Sequence, residues 1–399
     1  MLESIYIGMS GLTAYSKGLQ TISNNVANLN TPGFKTSAPR FADLYYGAQY
    51  SSGNPGGKSG TMQFGSGVEY GYSSLNFAQG NLSASDGQLD LAINGNGFLT
   101  LLDGDKVRYA RTGQFAIGDD GVIADKVTGL QLAALTSSGS LGVVSVAGKQ
   151  LNPPQATSMI KFSDNLSSGA TDFSIPNVDI YDASGGKHTV TIQFKPDASI
   201  IPGRWAVTVV DENTLPIGQG TLQFNGGIPE PGRDVIEFTL NTPNVSPSTI
   251  SLDFSNGVTG FSAGSFSSLR IADKDGYAPG TLSSLSVDES GQLVLEYTNG
   301  KSEILDQVAL ANFADPQTLI QLGNGLFDAS QADAPRYVAS NGAGVGQLLA
   351  GVSEGSNVDL SNEFGQLILI QRGFQASSQV VSAANEMIMQ LFQMRGAQG

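Results

Sequence analysis

His188 is the only histidine among 399 residues, and histidine is the side chain most often used in acid–base chemistry. A Ser-His-Asp relay needs a poised serine beside it, and no G-x-S-x-G elbow occurs in the sequence. His188 follows Gly185-Gly186-Lys187, a turn, and shares strand parity with Val190. It reads as a strand-edge histidine without catalytic duty. Asn94-Gly95-Asn96-Gly97-Phe98 contains a G-x-G, but Thr100 stands where a dinucleotide loop has its third glycine, and no helix pattern follows. Asp273-Lys274-Asp275-Gly276 resembles the start of a calcium loop, yet its glycine comes two positions early and no glutamate closes position twelve. A turn is the better reading there, and Asp119-Asp120-Gly121 reads as a hairpin turn. With no cysteine, thiolate ligands, thiol nucleophiles and disulfides are all excluded. Trp205 and Tyr181 could form a sugar platform, but Trp205 alternates with Val207 and Val209, the pattern of a core strand. Carboxylates are plentiful, and spacing alone does not set two of them at glycosidase separation. No catalytic residue, metal or cofactor is therefore expected.

The informative pattern is at the two ends. Ile5, Leu12, Leu19 and Val26 recur every seven residues, and Tyr15, Ile22 and Leu29 fall three after the last three of them. Near the other end Leu367, Phe374, Val381 and Ile388 repeat at the same interval, with Ile370, Ala384 and Leu391 three later. Such a 3-4 alternation is the seam of a coiled coil, a narrow apolar stripe that needs a partner helix. A helix over 2–29 would be about 40 Å long. Gly8, Gly11 and Gly18 weaken it by up to about 1 kcal/mol each relative to alanine, whereas each buried seam residue returns roughly 1.5–3 kcal/mol. The helix is thus expected to form fully only against a partner. Narrow stripes, set apart from the β regions by Gly/Ser-rich stretches, favour association between molecules over packing within one chain.

Asn30-Thr31-Pro32-Gly33 ends the first helix, because proline keeps Thr31 out of the helical region. Residues 33–80, rich in Gly, Ser and Tyr (Tyr45, Tyr46, Tyr50, Tyr70, Tyr72), read as an extended connector with little core of its own. Period-two alternation then begins, with Leu89, Leu91 and Ile93, and short strands follow at 98–102, 107–110 and 130–134. A second strand-rich stretch carries Val190, Ile192 and Phe194, then Trp205, Val207 and Val209, then Ile236, Phe238 and Leu240, as in a sandwich or barrel. After 275–280 the earlier style returns, with strands at 293–297 and 304–313. Gly342, Gly344 and Gly346 loosen the way into the last helix, which Asn357 or Asp359 could cap. Glycines near 53–60 and 342–346 are candidate hinges.

The resulting expectation is a mainly β chain with terminal α-helical coiled-coil segments. It is nested: residues 1–32 and 357–399 form paired helices, 33–80 the connector, 81–148 and 274–356 a discontinuous inner β domain, and 149–273 an inserted outer β domain, sandwich- or barrel-like. Net charge is −15. Residues 1–34 carry Glu3 against Lys17, and 357–399 carry Asp359, Glu363 and Glu386 against Arg372 and Arg395, which leaves −14 in the middle. An acidic middle argues against phosphate-mediated binding to nucleic acid or anionic lipid. No apolar run reaches the roughly twenty residues of a membrane span, so no membrane insertion is expected. Met1-Leu2-Glu3 lacks the basic start of a Sec signal, and export, if it occurs, is expected without a cleaved signal peptide.

Three ordered motifs then resemble the bacterial flagellar rod and hook axial proteins. The first runs from Ser23 to Lys35 and includes Asn24, Asn25, Asn28, Thr31, Pro32, Gly33 and Phe34. The second runs from Asp90 to Phe98 and includes Asn94, Gly95, Gly97 and Phe98, followed by Tyr109-Ala110-Arg111-Thr112-Gly113-Gln114-Phe115. The third comprises Ser356–Ser361 and Gln371–Ala376. The resemblance spans roughly 1–135 and 275–399. The additional 120 or so residues at 150–270, with Asp275–Gly280 and Gln307–Phe313, are similar to the longer, hook-type members. Thr31-Pro32-Gly33 is the form more associated with rod proteins, which keeps a distal-rod or hook-associated role open. The resemblance implies a self-polymerising extracellular tube of the flagellum that transmits torque as a universal joint, and no enzyme. Its implied partners are copies of itself, a distal rod protein, a hook–filament junction protein, a hook cap or scaffold protein and the flagellar type III export apparatus. A secreted β-rich glycan-binding module or hydrolase is the competing reading from a different class.

Overall fold

The computed structural model describes residues 2–44, 46–50, 61–136, 138–197 and 201–396. Tyr45 and the glycine-rich hinge segment near 53–60 lie outside the described residues. The chain forms two compact units: residues 1–147, 285–294 and 304–399 make the first, and 148–284 with 295–303 the second.

In the first unit, helix α1 (Leu2–Ala27) and helix α2 (Leu360–Gly396) run antiparallel. Asp359 starts α2: its Oδ1 accepts the backbone N–H of Ser361 at 2.8 Å, satisfying a donor that the first turn leaves free. At the end of α1, Asn28 donates to the carbonyl of Asn24 and Thr31 donates to the Asn28 side chain, and the chain turns before Pro32. Ser37–Asp43 then pairs antiparallel with Val68–Leu75, and Tyr46–Tyr50 pairs with Thr61–Gly65. The stretch expected as a plain connector is thus built of β-hairpin strands. It lies along α1: Thr21 Oγ1 meets Tyr70 Oη at 2.9 Å, and the Phe41 ring packs against Tyr15 and Tyr70.

The β part of this unit joins strands from far apart in the chain. Asp90–Asn94 pairs with Thr112–Gln114 on one side and Gln347–Ala350 on the other. Phe98–Asp103 pairs with Lys106–Ala110 and with Leu310–Ala311. Leu82–Ala84 pairs with Val352–Glu354. Leu91, Ala92 and Ile93, expected to alternate, are all buried in a strand that is paired along both edges. An aromatic cluster of Phe98, Tyr109, Phe313 and Phe327 sits alongside, with Phe77 against it. The glycines at 342–346 do not loosen the approach to α2. The Gly346 N–H donates to the Asn96 carbonyl at 2.8 Å, and a side chain on Gly346 would run into the Asn94 carbonyl. Small residues are needed there for contact rather than for freedom.

The second unit is a sandwich of two sheets. One is a meander of Phe173–Tyr181, Lys187–Pro196, Arg204–Val210, Pro216–Asn225 and Ile228–Pro229. The other sets Val235–Leu240, Ser248–Asp253, Met159–Asn165 and Arg270–Lys274 side by side. The alternating residues point inward together, and at the centre Phe162 stacks on Phe254 while Phe194 meets Phe254 edge-on. Trp205 is 2% exposed within this core, so the sugar-platform role considered for it has no accessible ring. Asp273 and Lys274 belong to a strand and not to a turn. Asp275 accepts the N–H groups of Ser158 and Met159, which fixes where the neighbouring strand begins.

Candidate functional site

His188 Nε2 lies 2.9 Å from Asp182 Oδ2 and 3.3 Å from Thr242 Oγ1. A relay needs its acid and its nucleophile on different ring nitrogens, and here one nitrogen faces both. Asp182 also accepts N–H bonds from Ser184 and Gly186 across the 182–187 turn. Burial pushes its carboxyl up, but the bonds from Ser184, His188 and Gly186 outweigh this and hold it below the ordinary carboxylate range. The pair closes a hairpin.

Two of the three signature motifs, the first and the second, converge on one buried carboxylate, Glu354. Lys35 Nζ lies 2.5 Å from Glu354 Oε1, both side chains wholly out of solvent, and also donates to the Ala78 carbonyl at 2.7 Å. The Gly80 N–H donates to the same Oε1 at 2.9 Å. Arg111 Nε donates to Oε2 at 3.1 Å, while its other nitrogens donate to the carbonyls of Gly97, Gly95 and Ile93. Gly95 and Gly97 hold φ of 114° and 106°, which turns those carbonyls toward the guanidinium at a conformation open to glycine. Phe98 lies under it, its ring centre 5.8 Å from Arg111 Cζ. Gly33 donates its N–H to the Glu354 carbonyl at 2.8 Å. Burial pulls the Lys35 amine below its usual value, and the Glu354 charge beside it opposes this. Of these residues, the family signatures named Gly33, Lys35, Gly95, Gly97, Phe98 and Arg111 without a role for either cation, and Glu354 was not named.

Asn25 and Asn357 clamp the segment between. Asn25 exchanges two bonds with the backbone of Ser37 (2.9 and 3.0 Å) and donates to Glu363 at 3.1 Å. Asn357 accepts the Thr36 N–H at 2.8 Å and donates to the carbonyls of Asn76 and Ala78. Asn357 therefore clamps the connector, and Asp359 caps α2. Burial raises the Glu363 pKa, the Asp359 charge adds to this, and the Asn25 bond pulls the other way. Asn24 is exposed and Phe34 buried; Thr31 is half-buried, and Pro32 is exposed beside it.

Between the helices, α1 meets α2 through its small residues. A Cβ on Gly8 would lie 2.6 Å from Val381 Cγ2, one on Gly11 2.5 Å from Ser377 Oγ, and one on Gly18 3.1 Å from Ile370 Cδ1. Gly373 presses on the Tyr15 ring in the same way. Ile22, Ile370 and Ala384 are buried on this line. Ile5, Leu12, Tyr15, Leu19, Val26, Leu29, Leu367, Val381 and Ile388 are half-buried. Phe374 is 37% exposed because Gly373 occupies the contact, and Leu391 is exposed as well. The glycines counted as a weakness by propensity are the closest points of the pair. The heptad reading looked for large residues and passed over them. On its outer side α2 displays Phe364, Ile368, Leu369, Val380 and Met387 to solvent. That is far more apolar surface than a solvated helix carries.

A helix pair locked to a discontinuous β unit, with a bare apolar face and an inserted sandwich, defines a structural subunit made to associate. Residues 5–35 match the flagella basal body rod protein family, and 349–394 match the flagellar basal body rod FlgEFG protein C-terminal family. Both ends of the chain are thus similar to the flagellar rod and hook axial proteins. The chain is similar over 97% of its length to the flagellar hook protein FlgE of Salmonella typhimurium, at 28% identity and 98% coverage of that protein. It is similar over 99% of its length to flagellar hook protein FlgE of Borreliella burgdorferi, at 25% identity and full coverage of the relative. The solved Helicobacter pylori flagellar hook protein FlgE2 covers 67% of this chain, with 98% of that structure aligned, at 12% identity and a TM-score of 0.49.

Proposed function

We propose that this chain is the structural subunit of the bacterial flagellar hook, which polymerises with copies of itself into the flexible tube that carries torque from rod to filament. The full-length match to hook proteins carries this reading: it runs through the inserted sandwich as well as the two ends. The bare face of α2 supplies the adhesive surface that self-assembly requires. Glycine-mediated contact keeps α1 and α2 close enough to act as one stiff strut, and the acidic sandwich surface suits outer contacts that rearrange cheaply during bending. In this reading the subunit leaves the cell through the flagellar type III export apparatus without a cleaved signal. It then meets a distal rod protein below, a hook–filament junction protein above and a cap or scaffold protein at the growing end. No described helix is long and apolar enough to cross a membrane.

Electron microscopy of basal bodies from cells lacking the gene tests this directly. Intact rods without hooks are expected. Hooks of normal length would refute the proposal, and absent distal rods would move the chain to the rod.

A further inference from the structure

The two helices are unequal, and the difference defines a contact. Gly8 faces Val381, Tyr15 faces Gly373 and Asn25 lies against Glu363, so Leu2, where α1 starts, lies level with Glu386. The last ten residues of α2 run on past it for about 15 Å. That overhang is apolar on several sides, with Phe392 69% and Met394 61% exposed and Met387, Met389 and Leu391 bare beside them. Nothing among the described residues covers it. On the same unit, α1 and the strands beside it leave open a cleft of about 350 Å³ whose lining includes Tyr6, Met9, Thr13, Lys17, Glu69 and Tyr70, with Lys17 on the α1 wall and Glu69 on the strand wall.

We propose that the α2 overhang of one copy seats in this cleft of a second copy, antiparallel to its α1. This deepens the hook reading and rests on it for the assembly state. Lys17 is the sole basic residue of α1, and Glu386 is the sole acid in the second half of α2. Placing Lys17 opposite Glu386 sets Thr13 opposite Gln390 and Met9 opposite Met394, since both helices advance by four residues along one face. Charge meets charge, amide meets hydroxyl, and thioether meets thioether. The surface that protrudes differs from the surface that receives, so the contact is head-to-tail and builds an open helical array instead of a closed pair.

The absence of cysteine allows a clean test on the full chain. In a Met9→Cys/Met394→Cys variant the two thiols of one molecule are about 20 Å apart along the helix pair, beyond the roughly 7 Å Cα limit for a disulfide. Oxidation of the assembled variant is expected to give a ladder of covalent multimers. A mixture of the two single variants is expected to give dimers and nothing longer. Lys17→Glu is expected to weaken the ladder at least tenfold, and Lys17→Glu with Glu386→Lys to restore it, with circular dichroism confirming unchanged helix content. Assembly that proceeds without cross-linking at these positions would overturn this contact and leave the hook reading standing. A chain that remains monomeric throughout would overturn both.

Discussion

Lys35 and Glu354 are separated by 319 positions in sequence and by 2.5 Å in space, and neither side chain touches solvent. The link joins the segment that follows α1 to the strand that leads into α2, with Arg111 from the β unit closing the group. Each charge is tolerable only because the others are present. Glu354→Ala leaves two buried cations without a counter-charge, and a loss of about 3–5 kcal/mol is expected. Chemical denaturation of the full chain checks this; a change below about 1 kcal/mol would show the group to be dispensable.

The helix contact makes a paired expectation. Gly8→Ala and Gly365→Ala are the same chemical change in the interior of a helix, but Gly8 faces Val381 while Gly365 has nothing within 4 Å. Gly365→Ala is expected to stabilise by up to about 1 kcal/mol through helix propensity. Gly8→Ala is expected to destabilise by about 1–3 kcal/mol, as the helices are forced apart. Thermal melts followed at 222 nm distinguish the two, and equal gains would mean that the pair does not depend on close approach.

Glu363 predicts a pH signature. Its folded pKa lies above the ordinary value of 4.5 because of burial, with the Asp359 charge adding to it. The folded chain therefore holds this proton more tightly than the unfolded chain, and stability falls as pH rises through the window above 4.5. Glu363→Gln removes that dependence while keeping an acceptor for Asn25. The variant is expected to be more stable than the parent at pH 7, with its advantage vanishing below pH 4.5. A pH-independent difference would contradict the assignment.

Asp182 predicts the opposite sign. Hydrogen bonds from Ser184, His188 and Gly186 outweigh burial and hold its pKa below the ordinary 3.8. Its contribution is fully present above that value and is lost as pH falls below it. Asp182→Asn is expected to flatten the acid limb of the unfolding curve and to leave assembly at neutral pH unchanged. An unaltered acid limb would show that the turn gains nothing from the carboxylate.

Much of this was legible in the residues. Val190, Ile192, Phe194 and Trp205 alternate, and all four lie in the sandwich core. The helices were marked by their heptads and by the stop at Pro32. Less visible was what the glycines do, because propensity treats Gly8, Gly11 and Gly18 as defects and carries no information about a neighbour. Residues 37–43 and 68–75 passed for a connector because their strands bury few side chains and pack on α1 instead of on a sheet. Glu354 was invisible for a different reason: one acid at the end of a three-residue strand has no local pattern, and its partners lie hundreds of positions away.

In the proposed hook, the exposed face of α2 drives self-assembly. Ile22 is buried against the chain's own packing, so a charge there would report on folding; Ile368 and Leu369 lie on the outer face and report on association. The deciding measurement is light scattering, with negative-stain microscopy, of the concentrated full chain and of an Ile368→Asp/Leu369→Asp variant with the same helix content. Tubes from the parent and monomers from the variant are the expected result. Tubes from both, or monomers from both, would contradict it.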